Sequence, residues 1–169
     1  DLRNFMYSAQ LPGKGPYVIR YPRGGCACSN WHRPYEEIIT GKGRQVSDGK
    51  DIAILSLGHP GNFVKEAIAQ LRNENIVPAH YDMRFLKPID EEILLEACSN
   101  FKYLITVEDG TIKGGFGSTV IEFVNDHNFN NKVITLGIPD EFITHGKVEQ
   151  LYSNCGFDAA SIIKVVKEN

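Results

Sequence analysis

From residue 51 onward the chain alternates short, nearly unbroken apolar runs with stretches of helical periodicity, and this alternation limits the available folds more than any other feature. DIAILSL at 51–57 is apolar on both alternating faces, as a strand covered on both sides must be. After Gly58 comes a stretch from about 62 to 72 with Phe63, Ala67, Ile68 and Leu71 on one helical face. The pattern then predicts a strand at 76–82, a helix at 90–98, a strand at 103–107, a helix at 117–125 and a strand at 132–136, closed by helices near 148–155 and 159–167. Asp90, followed by Glu91 and Glu92, and Asp158 before Ala159 have the position and chemistry of N-caps. The expected class is α/β: a three-layer, open, mostly parallel twisted sheet with helices on both faces.

The first 43 residues do not follow this rhythm. Residues 1–11 have helical spacing and stop at Pro12-Gly13, and PYVIRYP at 16–22 has strand composition. Residues 24–50 are rich in Gly, Cys, Ser, Asn and Pro, with only 35–39 and 43–47 offering short structured pieces. A helix and a strand without neighbouring strands make no sheet, so residues 1–23 are expected to be the tail of a preceding domain, 24–43 a linker and 44–169 one α/β domain. A chain whose numbering opens on Asp1 inside helical spacing is expected to be a piece of a longer polypeptide.

Composition excludes several functions. With 18 basic and 21 acidic side chains and a net charge of −3, the chain has no general attraction for nucleic acid or an anionic membrane. No apolar run approaches the roughly 20 residues of a membrane span, and the start lacks the layout of a secretory signal. A cytoplasmic protein is expected. Cys26, Cys28, Cys98 and Cys155 form no C-x-x-C pair and have no histidine at metal-ligand spacing, which predicts reduced thiols and no metal site.

Four segments carry candidate chemistry. In IRYPRGG at 19–25 a strand-like run ends before Arg23 and two glycines; the planar guanidinium suits a phosphate or carboxylate, and Arg20 suits either the same use or a structural salt bridge. In VEDGTIKGGFGS at 107–118 a strand leads through Glu108 and Asp109 into a glycine-rich turn that opens a helix. Its amides suit an anion, but the spacing matches no nucleotide fingerprint, so close backbone packing at the turn is the favoured reading. GIPDEFITHG at 137–146 places His145 in a loop after a strand, and His59 follows the 51–57 strand; each is either a titrating or a structural histidine. His80 falls inside a strand. In DMRFLKP at 82–88, Asp82 with Arg84 and Lys87 is expected to form an ion-pair network or a partner surface. No nucleophile elbow or Ser-His-Asp spacing is present, so catalytic residues are expected to be none.

The set YPRGG at 21–25, DMRFLKPIDEE at 82–92, TVEDGTIKGGFGS at 106–118 and LGIPDEFITHG at 136–146 resembles, in order and spacing, the C-terminal part of the 1-deoxy-D-xylulose-5-phosphate synthase family. The resemblance covers the whole chain. It implies that residues 1–23 are the last helix and strand of a pyrimidine-binding domain and that 44–169 are a transketolase C-terminal-like domain. The implied enzyme, a transferase, condenses pyruvate with D-glyceraldehyde 3-phosphate, with loss of carbon dioxide, toward isoprenoid, thiamine and pyridoxal precursors. Its thiamine diphosphate and Mg²⁺ are implied to bind outside this chain.

The same resemblance implies that Arg23 binds the acceptor's phosphate, with Arg20 a second candidate, and that Glu108, Gly114, Gly115 and His145 are framework or interface residues. The chain alone is then expected to be inactive, its partners being the rest of the polypeptide, a second copy in a homodimer and a small sugar phosphate. Two rivals share some of the features: the C-terminal domain of a transketolase or 2-oxoacid dehydrogenase β subunit, and a free-standing α/β binding module.

Overall fold

A computed structural model describes residues 1–22 and 32–169; Arg23, Cys26 and Cys28 lie outside the described residues. In chain order the elements are α1 (Leu2–Ser8), β1 (Arg44–Ser47), β2 (Ile52–Leu57), α2 (Gly61–Leu71), a 3₁₀ turn (Arg72–Glu74), β3 (Ala79–Asp82), α3 (Glu91–Asn100), β4 (Tyr103–Thr111), α4 (Phe116–Asp126), β5 (Lys132–Ile138), α5 (Val148–Asn154) and α6 (Ala159–Lys167). The strands form one five-stranded sheet in the order β1-β3-β2-β4-β5. The β3-β2-β4-β5 block is parallel, and β1 joins the β3 edge antiparallel.

Strand alternation explains the three layers. In β2, Ala53 and Leu55 face one side, where they meet Leu104, Leu94 and Ala97 of α3 and Phe116 and Val120 of α4. Ile52 and Ile54 face the other, against Ile105, Val64 and Leu71 of α2 and Ile162 and Val166 of α6. Both cores are closed by fully buried side chains, so the α/β class with helices on both faces holds. The expected N-caps form as well: Asp90 accepts the Ile93 amide and Asp158 the Ser161 amide.

PYVIRYP at 16–22 is not a strand. Its β-branched and aromatic composition fits a ladder, but among the described residues no strand pairs with it. Pro16 and Pro22 have no amide to donate, and Val18 is 95% exposed. Three aromatic rings nevertheless tie the N-terminal segment to the domain, with Phe5 and Tyr17 packed edge-on against Phe85 at 5.4 and 6.3 Å between centroids. The ion-pair network expected at 82–88 also has different members. Asp82 pairs with Arg44 at 2.8 Å, while Arg84 turns to Asp1 at 3.4 Å. Arg44 reaches Asp82 because β1 lies antiparallel to β3 with these two residues in register.

The order of the strands fixes where a site can lie. From β2 the chain passes through α2 to β3 on one side; β4 then lies on the other side of β2, and its following helix, α4, covers the opposite face. The carboxyl ends of β2 and β4 therefore flank the topological switch point, where open α/β sheets form their crevice.

Candidate functional site

β4 runs past the end of β2. Leu57, the last residue of β2, is level with Glu108, whereas β4 continues to Thr111. The ladder to β5 breaks after Val107 and resumes at Thr111, so Glu108, Asp109 and Gly110 form an irregular tip above the crevice. Neighbouring residues of a strand face opposite ways, and the two carboxylates accordingly do different things.

Glu108 turns inward and is 4% exposed. Its Oε2 accepts the Phe116 amide at 3.0 Å and its Oε1 the Gly117 amide at 2.9 Å. Helix α4 has no capping side chain at its own N-cap, Gly115, so a carboxylate from β4 satisfies its first amides and complements its dipole. The glycines of the turn serve this contact. A methyl on Gly115 would lie 2.1 Å from the Thr111 carbonyl oxygen and 2.5 Å from Glu108 Oε2. The amides that suited an external anion are thus occupied by an internal one, and close packing at the turn is what the glycines provide.

Asp109 faces the crevice. Its Oδ2 lies 3.4 Å from Nδ1 of His59, which follows β2. The imidazole is enclosed by Phe63 of α2 and Tyr152 of α5, with centroids 5.8 and 5.2 Å away. Burial lowers its pKa from the ordinary 6.5; the Asp109 carboxylate opposes that shift, and the positive charge of Arg20 adds to it. Nε2 of His59 is buried and has no hydrogen-bond partner. Arg20 reaches the same place from the N-terminal segment: a methyl on Gly110 would lie 3.2 Å from Arg20 Nη1 and 2.8 Å from Glu108 Oε2.

Of the residues singled out in the sequence, Arg20, His59, Glu108 and Asp109 therefore meet at one crevice. His145 stands apart, exposed in the loop beyond β5. His80 is buried in β3, with Nε2 2.8 Å from Ser56 Oγ. Gly114 has positive φ and open space around it, while its amide donates to Ser118 Oγ at 2.9 Å. Sequence reasoning missed the cap from Glu108 to α4 and the aromatic enclosure from Tyr152; a cap eight and nine residues away follows no local motif, and Tyr152 arrives from a helix 93 residues beyond His59.

The residues present do not make a site for a metal diphosphate. Among the described residues no group of three His, Cys, Asp or Glu side chains is arranged to hold a metal ion, and the α4 amides already hold Glu108. A concavity of about 460 Å³ lined by Asp48, Lys50, Tyr81 and Glu96 lies at the opposite edge, by the loops entering β2 and β4, and the Tyr81 hydroxyl donates to Glu96 there at 3.0 Å.

A doubly covered, mostly parallel sheet with an acidic strand tip capping the next helix defines an α/β domain with its crevice at the β2/β4 switch point. The chain belongs to the transketolase C-terminal domain family, whose model, "Transketolase, C-terminal domain", matches residues 41–162. It is 57% identical over 168 residues to a 1-deoxy-D-xylulose-5-phosphate synthase of Cytophaga hutchinsonii, a match covering 99% of this chain and 26% of that protein. It is 52% identical to the synthase of the same name from Bacteroides thetaiotaomicron, over 97% of this chain and 26% of the other. The chain thus spans about a quarter of the length of the curated relatives it matches. Among solved structures, a split-gene transketolase described as an inactive beta4 tetramer superimposes with a TM-score of 0.73 at 29% identity, covering 79% of this chain and 43% of that one. Transketolase from Campylobacter jejuni shares the fold, with a TM-score of 0.57 at 13% identity over 81% of this chain and 20% of that one.

Proposed function

We propose that this chain is the C-terminal part of a cytoplasmic, homodimeric 1-deoxy-D-xylulose-5-phosphate synthase that condenses pyruvate with D-glyceraldehyde 3-phosphate and releases carbon dioxide. The observation that carries this reading is 57% identity to a synthase of that name across 99% of the chain, the N-terminal segment and the 24–43 stretch included. On this reading residues 1–23 complete a preceding pyrimidine-binding domain, 24–43 are a linker and 44–169 are the C-terminal domain. Thiamine diphosphate with Mg²⁺ supplies the bond-making chemistry from the remainder of the polypeptide.

This chain's own part is to bind the acceptor and to extend the dimer contact. Arg23 takes the acceptor's phosphate through its planar guanidinium, with Arg20 as the second arginine of that site. By itself the chain is inactive.

Assay of the full-length protein with pyruvate, D-glyceraldehyde 3-phosphate, thiamine diphosphate and Mg²⁺ tests the activity: formation of 1-deoxy-D-xylulose 5-phosphate is expected, and its absence overturns the reading. Arg23→Ala tests the site, with a sharply raised KM for the acceptor and a nearly unchanged KM for pyruvate expected; equal losses for both substrates would sink the assignment. Product formed by these 169 residues alone would contradict their proposed inactivity.

A further inference from the structure

Between the buried Gly137 and the fully buried Phe157 no residue is buried, those of α5 included. Residues 139–156 thus lie on the domain as a strap that leaves the carboxyl end of β5. Tyr152 and Cys155 are the strap residues that pack against the α2/α6 core. The Tyr152 ring meets His59 at 5.2 Å, Phe63 at 5.4 Å and Phe157 at 5.1 Å between centroids. A seven-residue helix with no buried side chain has little else to hold it, so this ring cluster sets how firmly α5 is closed.

The two nitrogens of His59 stand in different surroundings. Nδ1 faces Asp109 Oδ2 at 3.4 Å, so the neutral ring keeps its proton there, while Nε2 is buried and has no hydrogen-bond partner. A second proton has only Nε2 to go to, where the new N–H would be enclosed without an acceptor. The charged and titratable groups around the ring are Asp109 from β4, which favours the imidazolium, Arg20 from the N-terminal segment, which opposes it, and Tyr152 from α5; Phe63 of α2 carries no charge. Burial outweighs the carboxylate and holds the imidazole below its ordinary 6.5. Burial also raises Tyr152, beside Asp109 and Glu149, and Cys155, beside Glu141 and Asp109, so both stay neutral throughout the acid range.

We infer that residues 139–156 are an acid-released strap beside the β2/β4 crevice, pinned by the packing of Tyr152 on neutral His59. With the strap open, His59 faces water and takes up a proton near its ordinary 6.5. The closed strap refuses a proton that the open one accepts, so closure is fully favoured above 6.5 and weakens as pH falls below it. Opening uncovers the crevice wall at His59 and Asp109. No step involves a substrate, so the strap stands or falls independently of the synthase reading.

The test is hydrogen exchange of the full-length protein from about pH 7.5 to about pH 5, with rates corrected for the intrinsic pH dependence of amide exchange. Protection of peptides covering 139–156 is expected to fall below 6.5, by at most about tenfold per pH unit, the limit for one proton, while α2 and α6 keep theirs. His59→Phe keeps a ring in the enclosure and is expected to remove the pH dependence. Tyr152→Ala raises exchange of the strap at every pH. Asp109→Asn removes the charge that favours the imidazolium, so the loss in acid deepens. Strap protection that does not change with pH overturns the inference, as does a pH dependence that persists in His59→Phe or an equal loss in α2 and α6. If His59→Phe does not fold, Asp109→Asn keeps the test open, because a shallower loss in that variant overturns the inference too.

Discussion

Glu108 Oε1 accepts the Gly117 amide at 2.9 Å, so the last regular pairing position of β2 with β4 is also the cap of α4. Strand and helix are joined by a side chain, not only by the chain between them. Glu108→Gln leaves one oxygen to accept and turns an NH₂ group toward a helix amide. That swap is expected to destabilise the fold by about 1–3 kcal/mol, as for a buried hydrogen bond lost to a charged group. Urea midpoints for the two proteins check it, and equal midpoints would show that the cap contributes nothing.

The glycines divide into two kinds with different expected penalties. At Gly115 a methyl would meet the Thr111 carbonyl at 2.1 Å, a backbone atom that cannot swing aside. At Gly156 there is open space, but φ is +75°, which disfavours any L side chain. Gly156→Ala is therefore expected to lose only about 1–2 kcal/mol, and Gly115→Ala clearly more. Thermal melts of both variants rank them; the reverse order would mean that the turn relaxes easily.

His80 makes acid stability measurable. Burial, reinforced by the charges of Lys65 and Arg44, lowers its pKa from 6.5 to about 4, and its Nδ1 has no partner. Below 6.5 the unfolded chain takes up a proton that the folded one refuses, so stability falls as pH drops through this window and levels off below about 4. The loss expected from this group is about 3 kcal/mol between pH 7 and pH 4. Urea unfolding across that range checks the slope, which is expected to shrink in His80→Gln.

Cys98 is expected to be inert. Its thiol lies in the core beneath α3, and burial raises its pKa to about 11. At pH 8 almost none of it is thiolate, the reactive form. Peptide mapping after iodoacetamide treatment is expected to find Cys98 unmodified in the folded chain and modified in urea; rapid native labelling would show that α3 opens readily.

The two aspartate caps are expected to differ. Asp158 caps α6 through the Ser161 amide and loses about 1 kcal/mol on change to Ala. Asp90 is buried, caps Ile93, accepts the Gly43 amide at 2.9 Å and faces Lys42 at 3.7 Å. Asp90→Ala therefore frees the 40–43 segment as well as the helix end, and calorimetry of both variants is expected to give the larger drop in melting temperature for Asp90.

Period and caps made the layers legible in the sequence. DIAILSL reads as a doubly buried strand because Ala53 and Leu55 enter one core and Ile52 and Ile54 the other. Asp90 and Asp158 mark helix starts because capping is chemistry between near neighbours. PYVIRYP misleads because strand composition describes a side-chain surface and says nothing of whether a ladder partner is present. Among the candidate site residues, Glu108 and His59 were visible as chemistry at strand ends. Their partners were not, because Phe116, Asp109, Tyr152 and Arg20 are brought together by sheet order and by the overrun of β4, and neither leaves a local signal.

The break in the β4 ladder divides one strand into two kinds of position. Residues 103–107 are held in register by β2 and β5, so changing them disturbs both cores. Asp109 and Gly110 lie beyond that register, where they face His59 and Arg20 rather than packed apolar side chains. A substitution of Asp109 therefore changes the wall of the crevice without removing a packed apolar side chain. Within a single strand, the residues that hold the sheet together and the one that shapes the crevice wall are different residues.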